Sequence, residues 1–182
     1  LNGEWIYAGA GGTECLYQMA NALLQSGDHL VSSDVSYNAL PYYASKNGCE
    51  TSYVPLDSDD RLSLDSVRNA IRPETKIVCL VNPNNPTGTL LARDTLVSFL
   101  DDLPPRVFVC MDEAYGEYAV DEGFVSCAEL VTRYSNLLVM KTFSKIYGMA
   151  GGRIGYVMSH PDTIHKLADR QLFATVTLPS QK

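Results

Sequence analysis

The chain has 182 residues, of which 46% are hydrophobic and 19% charged, and a formal net charge of −7. That length suits one domain with a substantial core. The acidic balance, with no run of Lys or Arg, argues against nucleic acid and against an anionic membrane surface as partners. No apolar stretch approaches the roughly 18 to 20 residues of a membrane span, and no charged-then-apolar signal pattern opens the chain.

Short apolar runs alternate with helical patterns from end to end. Trp5-Ile6-Tyr7-Ala8 reads as a strand, followed by Gly9-Ala10-Gly11-Gly12-Thr13. Leu16, Met19, Ala20, Leu23 and Leu24 have helical spacing, closed by Gly27. Leu30-Val31 is a strand, Ala39 to Lys46 a helix ended by Asn47-Gly48, and Thr51 to Val54 a strand. Ser63 caps a helix carrying Leu64, Val67, Ala70 and Ile71, which Pro73 stops. Lys76 to Val81 is a buried strand entering a loop of prolines and asparagines. A helix over Arg93–Leu103 ends at Pro104-Pro105, and Arg106 to Met111 is the next strand. The pattern then predicts a helix near Val125–Tyr134, strands over Leu137–Met140 and Ile154–Met158, and a last helix opening at Pro161-Asp162. This β-then-α order implies an α/β fold of three layers, a mostly parallel sheet flanked by helices.

In such open sheets ligands sit beyond the carboxyl ends of the strands. The chemically interesting residues lie just there, after Ala8, Val81, Met111 and Met140. Thr142-Phe143-Ser144-Lys145 follows the apolar run Leu137 to Met140, and Arg153 is reached eight residues later through a glycine-rich turn. An amine that must condense with an aldehyde works best when partly desolvated, because loss of water lowers its pKa. Neighbouring hydroxyls and an arginine suit a phosphate beside that imine. These residues therefore point to Lys145 as a Schiff-base lysine for pyridoxal 5′-phosphate (PLP). Lys141, the competing lysine, is expected to be solvated and without a role. Gly9 to Glu14 opens a helix after a strand, so its N–H groups suit either a turn or a phosphate cradle. A dinucleotide fingerprint fails there, because Glu14 stands where that pattern needs glycine. Glu14 should point away from a bound phosphate. Asp112 ends an apolar strand, where a carboxylate is costly without a cationic partner such as a protonated pyridine nitrogen; capping of the next helix is the alternative. The five cysteines are odd in number and lack metal-type spacing, which reads as reduced thiols in a cytoplasmic protein. His160 and His165 do not share a helix face, and no metal site is expected.

The run Thr142-Phe143-Ser144-Lys145, five residues, then Gly-x-Arg-x-Gly resembles the lysine signature of fold type I PLP-dependent aminotransferases, in the class I/II branch that includes histidinol-phosphate aminotransferase. Asn82-Pro83-Asn84-Asn85-Pro86-Thr87-Gly88 and Asp112-Glu113-Ala114-Tyr115 are similar to that family's Asn-Pro-x-Asn-Pro-Thr-Gly and Asp-x-x-Tyr motifs. The resemblance implies that Gly12, Thr13, Thr142, Ser144 and Arg153 hold the phosphate, and that Tyr37 stacks on the cofactor. It implies that Asn85 and Tyr115 donate to the cofactor's phenolic oxygen, that Asp112 partners the ring nitrogen, and that Lys145 carries the imine and moves the proton. Gly152 stands where the family usually has a larger apolar residue.

In activity, the resemblance implies an aminotransferase, passing an amino group from an amino donor to a 2-oxo acid acceptor, and a homodimer when intact. A PLP-dependent decarboxylase or lyase with the same lining is the alternative enzyme, and a truncated, non-catalytic binding module the alternative outside enzymes. The resemblance also makes residues 1–182 a PLP-binding large domain, expected to be a fragment without the family's amino-terminal arm and carboxy-terminal small domain.

Overall fold

The computed structural model describes residues 1–119, 124–171 and 175–181. Its strands are β1 (Ile6–Gly9), β2 (His29–Ser33), β3 (Glu50–Val54), β4 (Thr75–Val81), β5 (Phe108–Asp112), β6 (Leu137–Thr142) and β7 (Gly155–Met158). They form one sheet in the order β1-β7-β6-β5-β4-β2-β3. The pairs β6–β5, β5–β4, β4–β2 and β2–β3 are parallel, while β7 runs antiparallel to both β6 and β1. Strand β1 therefore points the same way as the parallel set. The carboxyl ends of β1, β2, β4, β5 and β6 gather at one end of the sheet, and β7 starts there.

The alternation of side chains along each strand splits the core into two layers. On one face Leu30, Ile77, Cys110 and Leu138 meet Leu16 and Met19 of α1 (Gly11–Leu23), Leu40 of α2 (Ala39–Lys46), and Leu167 of α5 (Pro161–Ala168). On the other, Val78, Val109, Met111 and Val139 meet Val67 of α3 (Leu64–Asn69) and Phe99 of α4 (Arg93–Asp102). Strand β4 reads as an unbroken apolar run because both of its faces are covered. Each fully buried side chain of this size is worth roughly 1.5–3 kcal/mol.

Local chemistry sets the helix ends. Ser63 Oγ accepts from Ser66 N at 3.2 Å and starts α3; Pro161 occupies the first turn of α5, where His160 Nδ1 accepts from Asp162 N at 3.3 Å. Two expected elements differ. Trp5 belongs to a short 3-10 turn, Gly3–Trp5, started by Asn2, so β1 begins at Ile6. The helix expected near Val125–Tyr134 is only a 3-10 turn, Cys127–Leu130. Its first N–H is taken by a distant side chain, Glu113 Oε1 accepting from Cys127 N at 2.6 Å, so packing rather than periodicity shapes that segment. Among the described residues no helix is long and apolar enough to cross a membrane.

Candidate active site

The gathered strand ends surround one cavity of about 260 Å³. All ten residues singled out by sequence border it: Gly12, Thr13, Tyr37, Asn85, Asp112, Tyr115, Thr142, Ser144, Lys145 and Arg153. Val81, Ala114, Met140 and Ala150 complete the lining and were not anticipated. Val81 and Met140 are strand residues whose alternation turns them to this face, a signal legible only once the sheet's two faces are assigned.

One end of the cavity is built for an anion. Helix α1 begins there, presenting the free N–H groups and partial positive charge of a helix start. Across from it, Arg153 donates through Nη2 to Ala10 O at 3.1 Å and through Nη1 to Ala150 O at 3.0 Å, with Ser144 Oγ at 3.4 Å. Thr142 Oγ1 lies 3.0 Å from Ser144 Oγ and accepts from Ser144 N at 3.1 Å. The glycines follow from this crowding. Gly11 has φ +83°, and a Cβ there would lie 2.3 Å from Arg153 Nη2. Glu14 turns out of the cavity lining, as expected, its Oε1 accepting from Tyr7 Oη on β1 at 2.9 Å. Burial raises its carboxyl pKa, and the bond from Tyr7 opposes the rise.

At the floor, Asp112 is 2% exposed. Burial pushes its carboxyl up to about 7; the N–H of Ala114, 3.0 Å from Oδ1, works against that rise, the charge of Glu113 adds to it, and that of Lys145 lessens it. Among the described residues no side-chain cation forms a salt bridge with Asp112. A buried acid left this short of positive charge fits a ligand carrying a protonated ring nitrogen, and the anion end fits a phosphate on the same ligand. The site residues thus suit PLP.

The asparagine loop divides its labour. Asn82 Oδ1 accepts from Leu91 N at 3.0 Å, while Asn84 Nδ2 donates to Val35 O at 3.1 Å and to Thr87 Oγ1 at 2.9 Å. Asn84 Oδ1 accepts from Ser36 Oγ at 2.7 Å, which ties the loop to the segment carrying Tyr37. Asn85 is the loop asparagine that borders the cavity. Opposite, Lys145 Nζ lies 4.7 Å from the centre of the Tyr115 ring. Lys145 is exposed, so the expected desolvation of this amine is not provided by the described residues.

Lys141 departs from its expected place in solvent. Its side chain is 11% exposed, Nζ donates to Glu117 Oε1 at 2.7 Å, and Glu113 Oε2 lies 3.4 Å away. One residue of register along β6 decides this: Met140 and Thr142 face the cavity, and Lys141 faces the opposite side.

The sequence matches the family profile "Aminotransferase class I and II" over residues 4–182. It is 38% identical to an aromatic amino acid aminotransferase of Cutibacterium acnes, over 97% of this chain and 50% of that protein. It is likewise 38% identical to a histidinol-phosphate aminotransferase of Bacillus cytotoxicus, over 96% of this chain and 47% of that protein. The crystal structure of a histidinol-phosphate aminotransferase from Sinorhizobium meliloti in complex with pyridoxal-5′-phosphate superposes with a TM-score of 0.86 and 31% identity, covering 92% of this chain and 45% of that one. The chain thus spans about half the length of the relatives it matches. With its fold, motifs and this similarity in agreement, the chain belongs to the class I and II aminotransferases, a family that uses pyridoxal 5′-phosphate.

Proposed function

We propose that this chain is the cofactor-binding part of a PLP-dependent aminotransferase that moves an amino group between an amino acid, or an amino-alcohol phosphate such as histidinol phosphate, and a 2-oxo acid. The observation that carries the proposal is the pairing, across one cavity, of a buried acid, Asp112, with which no side-chain cation among the described residues forms a salt bridge, and an exposed amine, Lys145. When bound, PLP supplies an aldehyde that condenses with amines and a ring that takes up the electron pair released at the substrate α carbon.

The protein's residues divide the remaining work. Arg153, Ser144, Thr142 and the α1 start at Gly12-Thr13 neutralise and orient the phosphate. Asp112 keeps a proton on the ring nitrogen, a role for which its scarcity of positive neighbours suits it. Asn85 and Tyr115 donate hydrogen bonds to the phenolic oxygen, and Tyr37 provides an aromatic wall. Lys145 Nζ would anchor the cofactor and, when free, would act as the base that takes the proton from the substrate α carbon and the acid that gives it back. In this reading the intact protein is a homodimer, as is typical of the family.

Borohydride reduction of the PLP-loaded full-length protein, followed by peptide mapping, is expected to leave the pyridoxyl group on Lys145. Amino donors should convert the loaded protein to its pyridoxamine form with release of an oxo acid. A tag on another residue, or carbon dioxide in place of the oxo acid, overturns the assignment.

A further inference from the structure

The Asp112–Tyr115 turn is held from behind the sheet. Strand β5 places Asp112 on the cavity side, and Glu113, next in the chain, falls on the opposite face, where Lys141 lies on β6. The N–H of Glu113 donates to Met140 O at 2.9 Å, extending the β5–β6 ladder by one bond. The Glu113 side chain is fully buried, and its two oxygens accept from Ser126 Oγ at 2.5 Å and from Cys127 N at 2.6 Å. Lys141 Nζ reaches Glu117 at 2.7 Å and Glu113 at 3.4 Å. Tyr115 lies between these two glutamates in the chain, with its ring on the cavity side. A single ammonium therefore bridges both ends of the turn that carries Tyr115.

Backbone bonds inside the turn are short-range, from Gly116 N to Glu113 O at 2.9 Å and from Tyr118 N to Tyr115 O at 3.0 Å. Such bonds alone hold a surface turn weakly. Room behind it is tight on one side, since a Cβ on Gly116 would come within 3.3 Å of Phe124 Cζ, and Lys141 Nζ would be in ordinary contact with it at 3.5 Å. Burying three charged groups is costly, and a packed apolar replacement often serves stability as well. The ion cluster adds a fixed geometry. Burial works against the Lys141 ammonium, yet the bond to Glu117 and the charges of Glu113 and Glu117 outweigh it and raise its pKa, so Lys141 stays protonated at neutral pH.

We propose that Lys141 is a positioning residue: by bridging Glu113 and Glu117 on the far face of the sheet, it fixes the turn that presents Asp112 and Tyr115 to the cavity. The inference rests on the reading of that cavity as a PLP site. It is tested by amide hydrogen exchange of the cofactor-free full-length protein and by titration with PLP, in wild type, Lys141→Met and Lys141→Arg. In Lys141→Met, exchange in the peptide 113–119 should rise about tenfold while the peptides of β4 and β6 keep their protection, and the Kd for PLP should rise by about tenfold. Lys141→Arg, which keeps the charge, should restore both to within about threefold of wild type. If Lys141→Met does not fold, Glu117→Gln, at the more exposed end of the cluster, carries the test, with faster exchange expected in the same peptide. Exchange that rises uniformly along the chain, or an unchanged 113–119 peptide, overturns the proposal. Wild-type protein that takes up no PLP refutes the cofactor reading instead, and the exchange data still decide whether the clamp exists.

Discussion

Replacing Asp112 by Asn should stabilise the cofactor-free protein while weakening its hold on PLP. The carboxyl is pushed from the ordinary aspartate value of 3.8 to about 7, chiefly by burial. Its native pKa being the higher one, the native state keeps a proton that the unfolded chain gives up, so stability is greatest below pH 3.8 and falls as pH rises through about 7. The gap is roughly three pH units at about 1.4 kcal/mol each, a ceiling of about 4 kcal/mol. Between pH 5 and pH 7.5 this amounts to about 2 kcal/mol of the wild type's stability. Asn has nothing to titrate and can still accept from the Ala114 N–H. Urea unfolding of the two cofactor-free proteins should therefore show Asp112→Asn gaining on wild type by about 2 kcal/mol over that pH range. PLP titration should show the opposite order, with the variant's affinity falling at least about tenfold. A stability difference that stays constant with pH would refute the argument, since it would mean that the buried carboxyl suffers no desolvation penalty.

Three further outcomes rest on other contacts. Arg153→Lys loses the forked donor that reaches Ala10 and Ala150 together, and should weaken PLP binding by roughly ten- to a hundredfold in an absorbance titration. Gly155→Ala would put a Cβ 2.6 Å from Gly12 N and 2.7 Å from the Gly11 carbonyl carbon, so it should destabilise the protein by about 1–3 kcal/mol in urea and loosen the phosphate end of the cavity. Buried His29, bonded to Thr75 Oγ1 at 2.8 Å and Ser52 Oγ at 2.9 Å, has its pKa lowered by burial and by Arg72. Its contribution is present above pH 6.5 and is lost as pH falls below it; His29→Gln should flatten the acid side of the stability curve measured by thermal unfolding.

The site was legible because its residues sit in short runs attached to recognisable strands. Once β1, β4, β5 and β6 are parallel, groups just past their ends must meet. Asn85 could be chosen over Asn82 and Asn84 only by resemblance; the structure adds the reason, since the other two amides are engaged in holding the loop. The segment around Cys127 misled periodicity because its start is set by the bond that Cys127 N donates to Glu113, 14 residues away. Lys141 misled composition for the same reason: a lone charge between an apolar run and a hydroxyl looks solvated until its two carboxylates arrive from another loop.

Taken alone, the order of residues determined the layered α/β class, the ends of most helices and which strand ends meet at the cavity, because these depend on local periodicity, capping and strand-end position; the individual lining residues needed the resemblance as well, and Val81, Ala114, Met140 and Ala150 needed the structure. Tertiary structure decided the antiparallel setting of β7, the burial that raises the Asp112 pKa, and the ion cluster behind it. Each of these depends on which distant groups share a desolvated space, and Coulombic and solvation energies of that kind are set by distance in the fold, not by separation along the chain.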